Sequence, residues 1–173
     1  AKAERFKAIC FVTGVPGAGK ALVGLNIATQ QFAKNEVAVY LSGNFPLVQV
    51  LTEALARDKV QRIKAQGEKI TKKEATSEVK TFIQMIHHYR DACLEGTKVV
   101  DGKIVPDEAY FLNPKNQKKS FIPVDHVVIF DESQRAWTKE QLVNFKKKKK
   151  NYPNFPCSEP EYLISCLDRH DDW

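Results

Sequence analysis

The sequence lacks the features that mark several large classes of protein. No apolar run approaches the roughly 20 residues that a membrane-spanning helix needs, and residues 1–5 lack the apolar stretch of a secretory signal. The four cysteines are scattered, with no Cys-x-x-Cys pair and no histidine at zinc-finger spacing. We therefore expect a reduced, cytoplasmic protein with no membrane association and no structural metal.

The composition is sufficient for one hydrophobic core. The chain has 173 residues, of which 43% are hydrophobic and 28% are charged, which excludes a disordered chain and is too little for two comfortable cores. The formal net charge is +6, but Lys146–Lys150 supply five of these charges, so the basic character is local. Such a run either contacts a nucleic-acid backbone or extends into solvent at a helix C-terminus, and both interpretations stay open.

Apolar runs and helical patterns alternate in the first third of the chain. Residues 7–13 contain an unbroken apolar run, which is typical of a strand covered on both faces in a parallel sheet, and Cys10 within it is expected to be buried. The next predicted elements are a helix over 20–32, a strand over 37–41, and a helix capped by Asn44 over 45–57. This order predicts an α/β fold with a parallel sheet.

Local capping signals define most of the remaining elements. Thr71 and Glu74 have capping-box spacing and open a helix that is predicted to run to about Glu95, where Gly96 ends it. The other predicted elements are a hairpin over 99–105, a buried strand over 124–130, a helix from Thr138, and a last helix opened by Ser158 and Glu161. Residues 58–80 are polar and lean basic, and we interpret them as a family-specific insertion.

One segment has the pattern of a phosphate-binding loop. Residues 14–20 fit G-x-x-x-x-G-K, directly after the first predicted strand and directly before the first predicted helix. The glycines let the backbone N–H groups turn toward phosphate oxygens, and Lys20 reaches the β- and γ-phosphates. The predicted nucleotide-binding residues are Gly14, Val15, Pro16, Gly17, Ala18, Gly19, Lys20 and Ala21. A glycine-rich turn without a ligand is the alternative.

Ala21 departs from the usual form of this loop. The position ordinarily holds Ser or Thr, whose hydroxyl binds Mg²⁺, and a methyl group cannot ligate a cation. Nucleotide binding through backbone amides and Lys20 does not need that hydroxyl, whereas tight Mg²⁺ placement and fast hydrolysis do. Three explanations of the alanine stay open: an introduced substitution, a natural loss of activity, or a water molecule that takes the place of the hydroxyl.

A second motif supplies paired carboxylates. The predicted strand over 124–130 delivers Asp131 and Glu132 at its C-terminal end, about 110 residues after the loop. In P-loop enzymes the first carboxylate holds the Mg²⁺ shell, and an adjacent Glu orients the attacking water as general base. The sequence therefore predicts ATP and Mg²⁺ as ligands, with Asp131 at the metal and with Lys20 and Glu132 in catalysis.

The acidic pair belongs to a longer motif. Residues 131–134 have the form D-E-x-Q, which resembles motif II of superfamily-1 helicases. In those motors the Gln senses the γ-phosphate and couples it to nucleic-acid contacts, so the resemblance implies a catalytic role for Gln134. Arg135 is either structural or a phosphate contact, and we interpret Trp137 as a packing anchor.

Four segments together identify a family resemblance. They read F-V-T-G-V-P-G-A-G-K, L-S-G-N-x-P-L-V, H-V-V-I-F-D-E-x-Q-R-A-W and S-E-P-E-x-L. This set resembles the Schlafen group 3-like DNA/RNA helicase domain, a bacterial family of P-loop ATPases related to superfamily-1 motors, over essentially the whole chain. The resemblance implies a RecA-like P-loop NTPase domain over 1–173, with helices on both faces of the sheet and incomplete at its C-terminus. It further implies a second RecA-like domain beyond Trp173, and threonine where Ala21 stands.

The same resemblance implies a nucleic-acid contact. Ser42, Asn44 and Phe45 occupy the place of motif Ia, where two polar side chains at a strand end reach phosphates and an aromatic ring stacks a base. A helix cap with Phe45 in the core is the alternative. The leading hypothesis is an ATP-hydrolysing, helicase-like motor domain acting on DNA or RNA. The alternatives are a non-motor P-loop switch or kinase-like enzyme, and a nucleotide-binding scaffold with impaired hydrolysis.

Overall fold

The computed structural model describes residues 7–33, 37–149 and 155–171. The elements in chain order are α1 (Lys20–Ala33), β1 (Ala38–Ser42), α2 (Phe45–Ala65), α3 (Lys72–Phe82), β2 (Ile83–Met85), α4 (Ile86–Leu94), β3 (Thr97–Val100), β4 (Lys103–Pro106), α5 (Glu108–Leu112), β5 (Val127–Asp131), α6 (Lys139–Lys149) and α7 (Glu159–Leu167). The chain divides into two compact units. The sheet unit comprises Cys10–Tyr89 and Val127–Glu132, and the companion unit comprises Ala1–Ile9, Arg90–His126 and Ser133–Trp173.

The sheet unit is built on three parallel strands in the order β2-β1-β5. The central strand β1 is fully buried, and its register places Tyr40 opposite Ile129 and Ser42 opposite Asp131. Side chains from α1, α2 and α3 form one hydrophobic core with the strands. Burial on this scale is what stabilises a parallel sheet, whose strands are rarely exposed. The predicted α/β class and parallel sheet are confirmed.

Local signals placed the helix starts correctly. Asn44 caps α2, because its side-chain oxygen accepts a hydrogen bond from the Leu47 amide at 3.3 Å. Thr71 and Glu74 form the predicted capping box at the start of α3. The segment 58–80 comprises the end of α2, most of α3 and their connection, and the two helices pack against each other. That this segment is a family-specific insertion stays a prediction.

The single helix predicted from Thr71 to Glu95 is wrong. The structure has α3, the three-residue strand β2 and then α4. Ile83 and Met85 of β2 are buried, and β2 pairs in parallel with β1. A continuous helix would leave that edge of β1 unpaired, so the tertiary hydrogen bonds outweigh the helical pattern of the sequence.

The strand predicted over 7–13 is also wrong, because the structure has no strand there. Phe11 is 84% exposed, Ile9 is 54% exposed, and Cys10 is exposed rather than buried. An apolar run favours burial, but a strand also needs a neighbouring strand to which its backbone can bond. Within the described residues β5 pairs only with β1, and residues 7–13 add no strand to the sheet.

The companion unit contains the hairpin β3-β4 and the helices α5, α6 and α7. The predicted Asp-Gly turn is present, with Asp101 and Gly102 both at positive φ, as the tight hairpin turn requires. The Glu161 carboxylate accepts from the Ser158 amide at 2.7 Å, which confirms the predicted start of α7. No helix in the described ranges is both long and apolar enough to cross a membrane.

The lysine run does not lie wholly in solvent. Lys146 is 1% exposed, and its ammonium donates to Asp91 Oδ1 at 2.5 Å. Both interpretations of the run, contact with a nucleic-acid backbone or extension into solvent, are therefore wrong for Lys146. Its ammonium is buried, and a buried cation needs a charged partner such as Asp91. Lys147 and Lys148 are exposed, whereas the side chains of Lys149 and Lys150 fall outside the described residues.

Candidate functional site

The Gly14–Lys20 loop turns into the first helix through two glycines at positive φ. Gly17 has φ +81° and Gly19 has φ +83°, in the left-handed region that favours glycine. The Ala18 amide donates to the Val15 carbonyl at 3.2 Å, and the first helical bond runs from the Val23 amide to the Gly19 carbonyl. The earlier amides of α1 have no acceptor within the helix, so they are available to an anion at this terminus.

Lys20 folds back over the loop that precedes it. Its ammonium donates to the Gly14 carbonyl at 2.7 Å and to the Val15 carbonyl at 3.0 Å. The cation therefore lies at the loop rather than along the helix. A phosphate oxygen binds an ammonium more strongly than a neutral carbonyl does, because charge-assisted hydrogen bonds are the stronger class.

Gly24 brings α1 very close to the sheet. A Cβ added at this position would lie 2.8 Å from Ile129 Cγ2 and 3.3 Å from Tyr40 Cε2. Only glycine allows the helix this approach at that point. The contact also fixes which face of the sheet α1 covers, namely the face that carries the Tyr40 and Ile129 side chains.

This contact places the loop and Asp131 at one edge of the sheet. Gly24 packs beside Tyr40, and α1 ends only five residues before β1 begins, so we infer that the helix runs antiparallel to the strands and begins near their carboxyl edge. Lys20 precedes Gly24 by about 6 Å along the helix axis, and Asp131 lies about 7 Å beyond Ile129 along β5. Asp131 and Ile129 are two residues apart and therefore share the face covered by α1.

Asp131 lies beside a buried tyrosine. Its Oδ2 atom is buried, as is the Tyr40 hydroxyl, and neither has a hydrogen-bond partner of standard geometry in the described part of the chain. Burial and, after it, the neighbouring Asp131 carboxylate raise the pKa of Tyr40 above its ordinary value. Both a hydrogen bond from the Tyr40 hydroxyl to Asp131 and the negative charge of that carboxylate contribute to this shift.

The acidic end of β5 fits a Mg²⁺ ion held jointly with a phosphorylated ligand. Mg²⁺ is typically bound by one or two carboxylates together with water and phosphate oxygens, and the Asp131 carboxylate at the end of β5 is a ligand of this kind. The described residues contain no group of three or more His, Cys, Asp or Glu side chains that would hold a metal without such help.

The residues after Asp131 turn sharply. Glu132 is exposed and has φ +57°, a conformation that costs a non-glycine residue about 1 kcal/mol or more. Glu132 is the last residue of the sheet unit, whereas Gln134 lies in a short 3₁₀ helix, Ser133–Arg135, of the companion unit. Strained backbone is common at functional sites, where the surrounding structure holds it.

The side chains of Ser42 and Asn44 accept hydrogen bonds from backbone amides, whereas Phe45 is exposed to solvent. Ser42 is fully buried, and its hydroxyl accepts from the Asn44 amide at 3.2 Å. Phe45 is 56% exposed, so it does not belong to the core. It lines a groove of about 680 Å³ together with Lys80, Gln84 and His88, all within the sheet unit. Of the three residues in the motif Ia position, Phe45 is the one available for stacking.

Gly24 and Tyr40 are site residues that sequence reasoning missed. A glycine in the middle of a predicted helix is a signal of close packing, because it is otherwise unfavourable there. A tyrosine within a buried strand is likewise a signal, since its hydroxyl needs a polar neighbour. Neither signal identifies the neighbour, because Ile129 and Asp131 are about 100 residues distant in the sequence.

Replacing Gly24 with valine tests the close approach of α1. The new side chain would push the helix away from Tyr40 and Ile129, and we expect a loss of about 2 kcal/mol in the free energy of unfolding, measured by urea denaturation. The matched control is Gly43→Val, since an added Cβ at Gly43 meets no described atom within 4 Å. Equal stability losses in the two variants would contradict the packing described here.

The chain is an α/β domain with a glycine loop and an acidic strand end at one edge of a parallel sheet. It matches the family model described as "Schlafen group 3, DNA/RNA helicase domain" over residues 7–172. The chain therefore belongs to this family of helicase domains, as its four sequence segments predicted. Comparisons with curated proteins and with solved structures gave no match.

Proposed function

We propose that this chain is a P-loop ATPase domain of RecA-like type and that it drives a helicase-like motor acting on DNA or RNA. The observation that supports the proposal is the close packing of α1, which follows the glycine loop, on Ile129 of the strand that ends at Asp131. Membership of a helicase-domain family supports the same conclusion. Phosphoryl transfer depends chiefly on positioning and charge stabilisation, and these groups supply both.

Each residue of the site has a specific role in this proposal. The amides of Gly17 to Ala21 and the Lys20 ammonium bind the β- and γ-phosphates of ATP. Asp131 would hold Mg²⁺, which neutralises charge on the phosphate oxygens when bound. Glu132 accepts a proton from the attacking water, and Gln134 responds to the γ-phosphate. A second RecA-like domain would contribute the stabilising arginine, as the family resemblance implies.

The proposed nucleic-acid contact centres on Phe45. Its exposed ring offers a stacking surface for a base, and the neighbouring Lys80 offers a cation for a phosphate. Ser42 and Asn44 contribute indirectly by fixing the backbone from which Phe45 projects. The proposal assigns no preference between DNA and RNA.

The test of the proposal is ATP hydrolysis by the full-length protein with and without single-stranded DNA or RNA. A motor predicts turnover that nucleic acid stimulates. Turnover without stimulation would favour the non-motor switch or kinase-like enzyme, and ATP binding without turnover would favour the scaffold. Absence of ATP binding would contradict all three.

Restoring a hydroxyl at Ala21 should accelerate hydrolysis. Ala21→Thr adds the Mg²⁺ ligand that the loop lacks, and we expect turnover to rise about tenfold or more, with a lower Mg²⁺ requirement. The control is Ala21→Val, which has nearly the shape of threonine and no hydroxyl. Equal rates in the two variants, measured over a Mg²⁺ titration, would show that the hydroxyl has no role here.

A further inference from the structure

A buried glutamate in the companion unit holds the backbone of Trp137 from both sides. Glu159 is 3% exposed, and its Oε2 atom accepts a hydrogen bond from the Trp137 amide at 3.1 Å. The Glu159 amide in turn donates to the Trp137 carbonyl at 3.0 Å. One residue of α7 thus satisfies both backbone polar groups of Trp137.

Arg90 fixes this glutamate in place. Its Nη1 donates to Glu159 Oε1 at 2.6 Å, and Arg90 is 1% exposed. The guanidinium carbon lies 5.0 Å from the centroid of the Trp137 ring and 5.5 Å from that of Phe145. Both carboxylate oxygens of Glu159 are therefore engaged, one by a buried cation and one by the Trp137 amide.

Trp137, whose backbone is bonded to Glu159 in this way (the Glu159 clamp), lies three residues after Gln134. Between them the Ala136 amide donates to the Ser133 carbonyl at 3.1 Å and closes the 3₁₀ turn. Within the companion unit, the 3₁₀ turn that carries Gln134 is therefore followed directly by a residue whose backbone Glu159 holds.

We propose that Glu159, with Arg90, is a positioning residue that holds the turn carrying Gln134 in its functional conformation. The inference rests on the proposed function, because it assigns Gln134 a response to the γ-phosphate. A short turn keeps one backbone conformation only when the structure around it holds that conformation. Catalytic groups displaced by about 1 Å lose much of their effect. Because Glu159 holds the backbone only three residues from Gln134, we expect its loss to lower turnover.

The decisive variant is Glu159→Gln. An amide has one acceptor oxygen where the carboxylate has two, so it cannot serve both Arg90 and the Trp137 amide. We expect hydrogen exchange at the Trp137 amide to become about tenfold faster or more, with β5 unaffected. We expect single-turnover hydrolysis to fall about 10- to 100-fold, with ATP affinity unchanged.

The matched control is Arg169→Met, which removes a half-buried cation of the same unit that donates to the Cys93 and Phe121 carbonyls. Lys146 is unsuitable, because its partner Asp91 also lies 3.6 Å from Arg90 Nε. Equal effects of the two variants on exchange at Trp137 and on turnover would overturn the proposal. A wild-type protein that binds no ATP would contradict the proposed function instead, and the exchange measurement then decides on the clamp by itself.

A second variant keeps the test decisive if Glu159→Gln does not fold. The pair Arg90→Met with Glu159→Gln leaves no unpaired buried charge, and it frees the Gln oxygen for the Trp137 amide. We expect this protein to regain slow exchange at Trp137 and most of the wild-type turnover. Slow exchange at Trp137 together with lost turnover would overturn the proposal, because the clamp would then be intact without effect.

Discussion

Replacing Lys20 with methionine is expected to weaken ATP binding about 100-fold and to lower turnover about 1,000-fold. Methionine keeps most of the length of the side chain and removes the ammonium. That group lies on the Gly14 and Val15 carbonyls at the loop, from where it would turn to the β- and γ-phosphates. Calorimetric titration with ATP and a steady-state hydrolysis assay measure the two effects.

The control for this variant is Lys64→Met. Lys64 is an exposed residue of α2 in the same unit, so its loss removes an equal charge away from the loop. We expect ATP affinity and turnover to be unchanged. If Lys20→Met bound ATP as tightly as Lys64→Met, the glycine loop would not be a phosphate site.

Replacing Glu132 with glutamine should separate binding from chemistry. The amide has almost the same shape but cannot accept a proton from water, and loss of a general base costs about 10²- to 10⁴-fold in rate. We expect ATP affinity to stay close to that of the wild type, because Lys20, the loop amides and Asp131 are untouched. Single-turnover kinetics and calorimetry distinguish the two quantities.

The matched control is Glu68→Gln, an exposed glutamate in the connection between α2 and α3. It removes the same charge without changing the carboxyl end of β5. Unchanged turnover in this control and a large loss in Glu132→Gln would assign the base to Glu132. Full turnover in Glu132→Gln would contradict that assignment and leave Asp131 as the sole functional carboxylate of the pair.

Features determined by neighbouring residues in the chain were predictable from the sequence. Asn44 before α2, the box of Thr71 and Glu74, and the turn of Asp101 and Gly102 act over two to four residues, and the structure has all three. The glycine loop belongs to the same class. Its conformation depends on glycines at positive φ and on the helix that follows.

Features that depend on distant partners were not predictable. β2 is a strand because β1 lies beside it, and the same residues have a helical pattern when the sequence is taken alone. Lys146 is buried because Asp91, 55 residues earlier in the chain, neutralises it. The run over 7–13 shows the converse, since apolar side chains do not make a strand where no strand pairs with them.

The residues of the candidate site likewise fall into those that the sequence predicted and those that only the structure identified. Lys20, Asp131 and Glu132 were singled out by motif spacing, by the helix after the loop and by the strand before the acidic pair, although the strand expected before the loop is absent from the described residues. Gly24, Tyr40 and Glu159 were not, because their importance comes from Ile129, Asp131 and Trp137 respectively, and no local pattern connects these pairs. Sequence thus identified the groups proposed to touch the nucleotide, and the structure added the residues that position them.

The central claim is that the glycine loop and Asp131 together bind a nucleoside triphosphate. The most direct measurement is a crystal structure of the full-length protein with Mg²⁺ and a non-hydrolysable ATP analogue. The account predicts that the Lys20 ammonium leaves the carbonyls of Gly14 and Val15 for the γ-phosphate, with the ion between that phosphate and Asp131. An analogue bound elsewhere, with Lys20 still on those carbonyls, would contradict it.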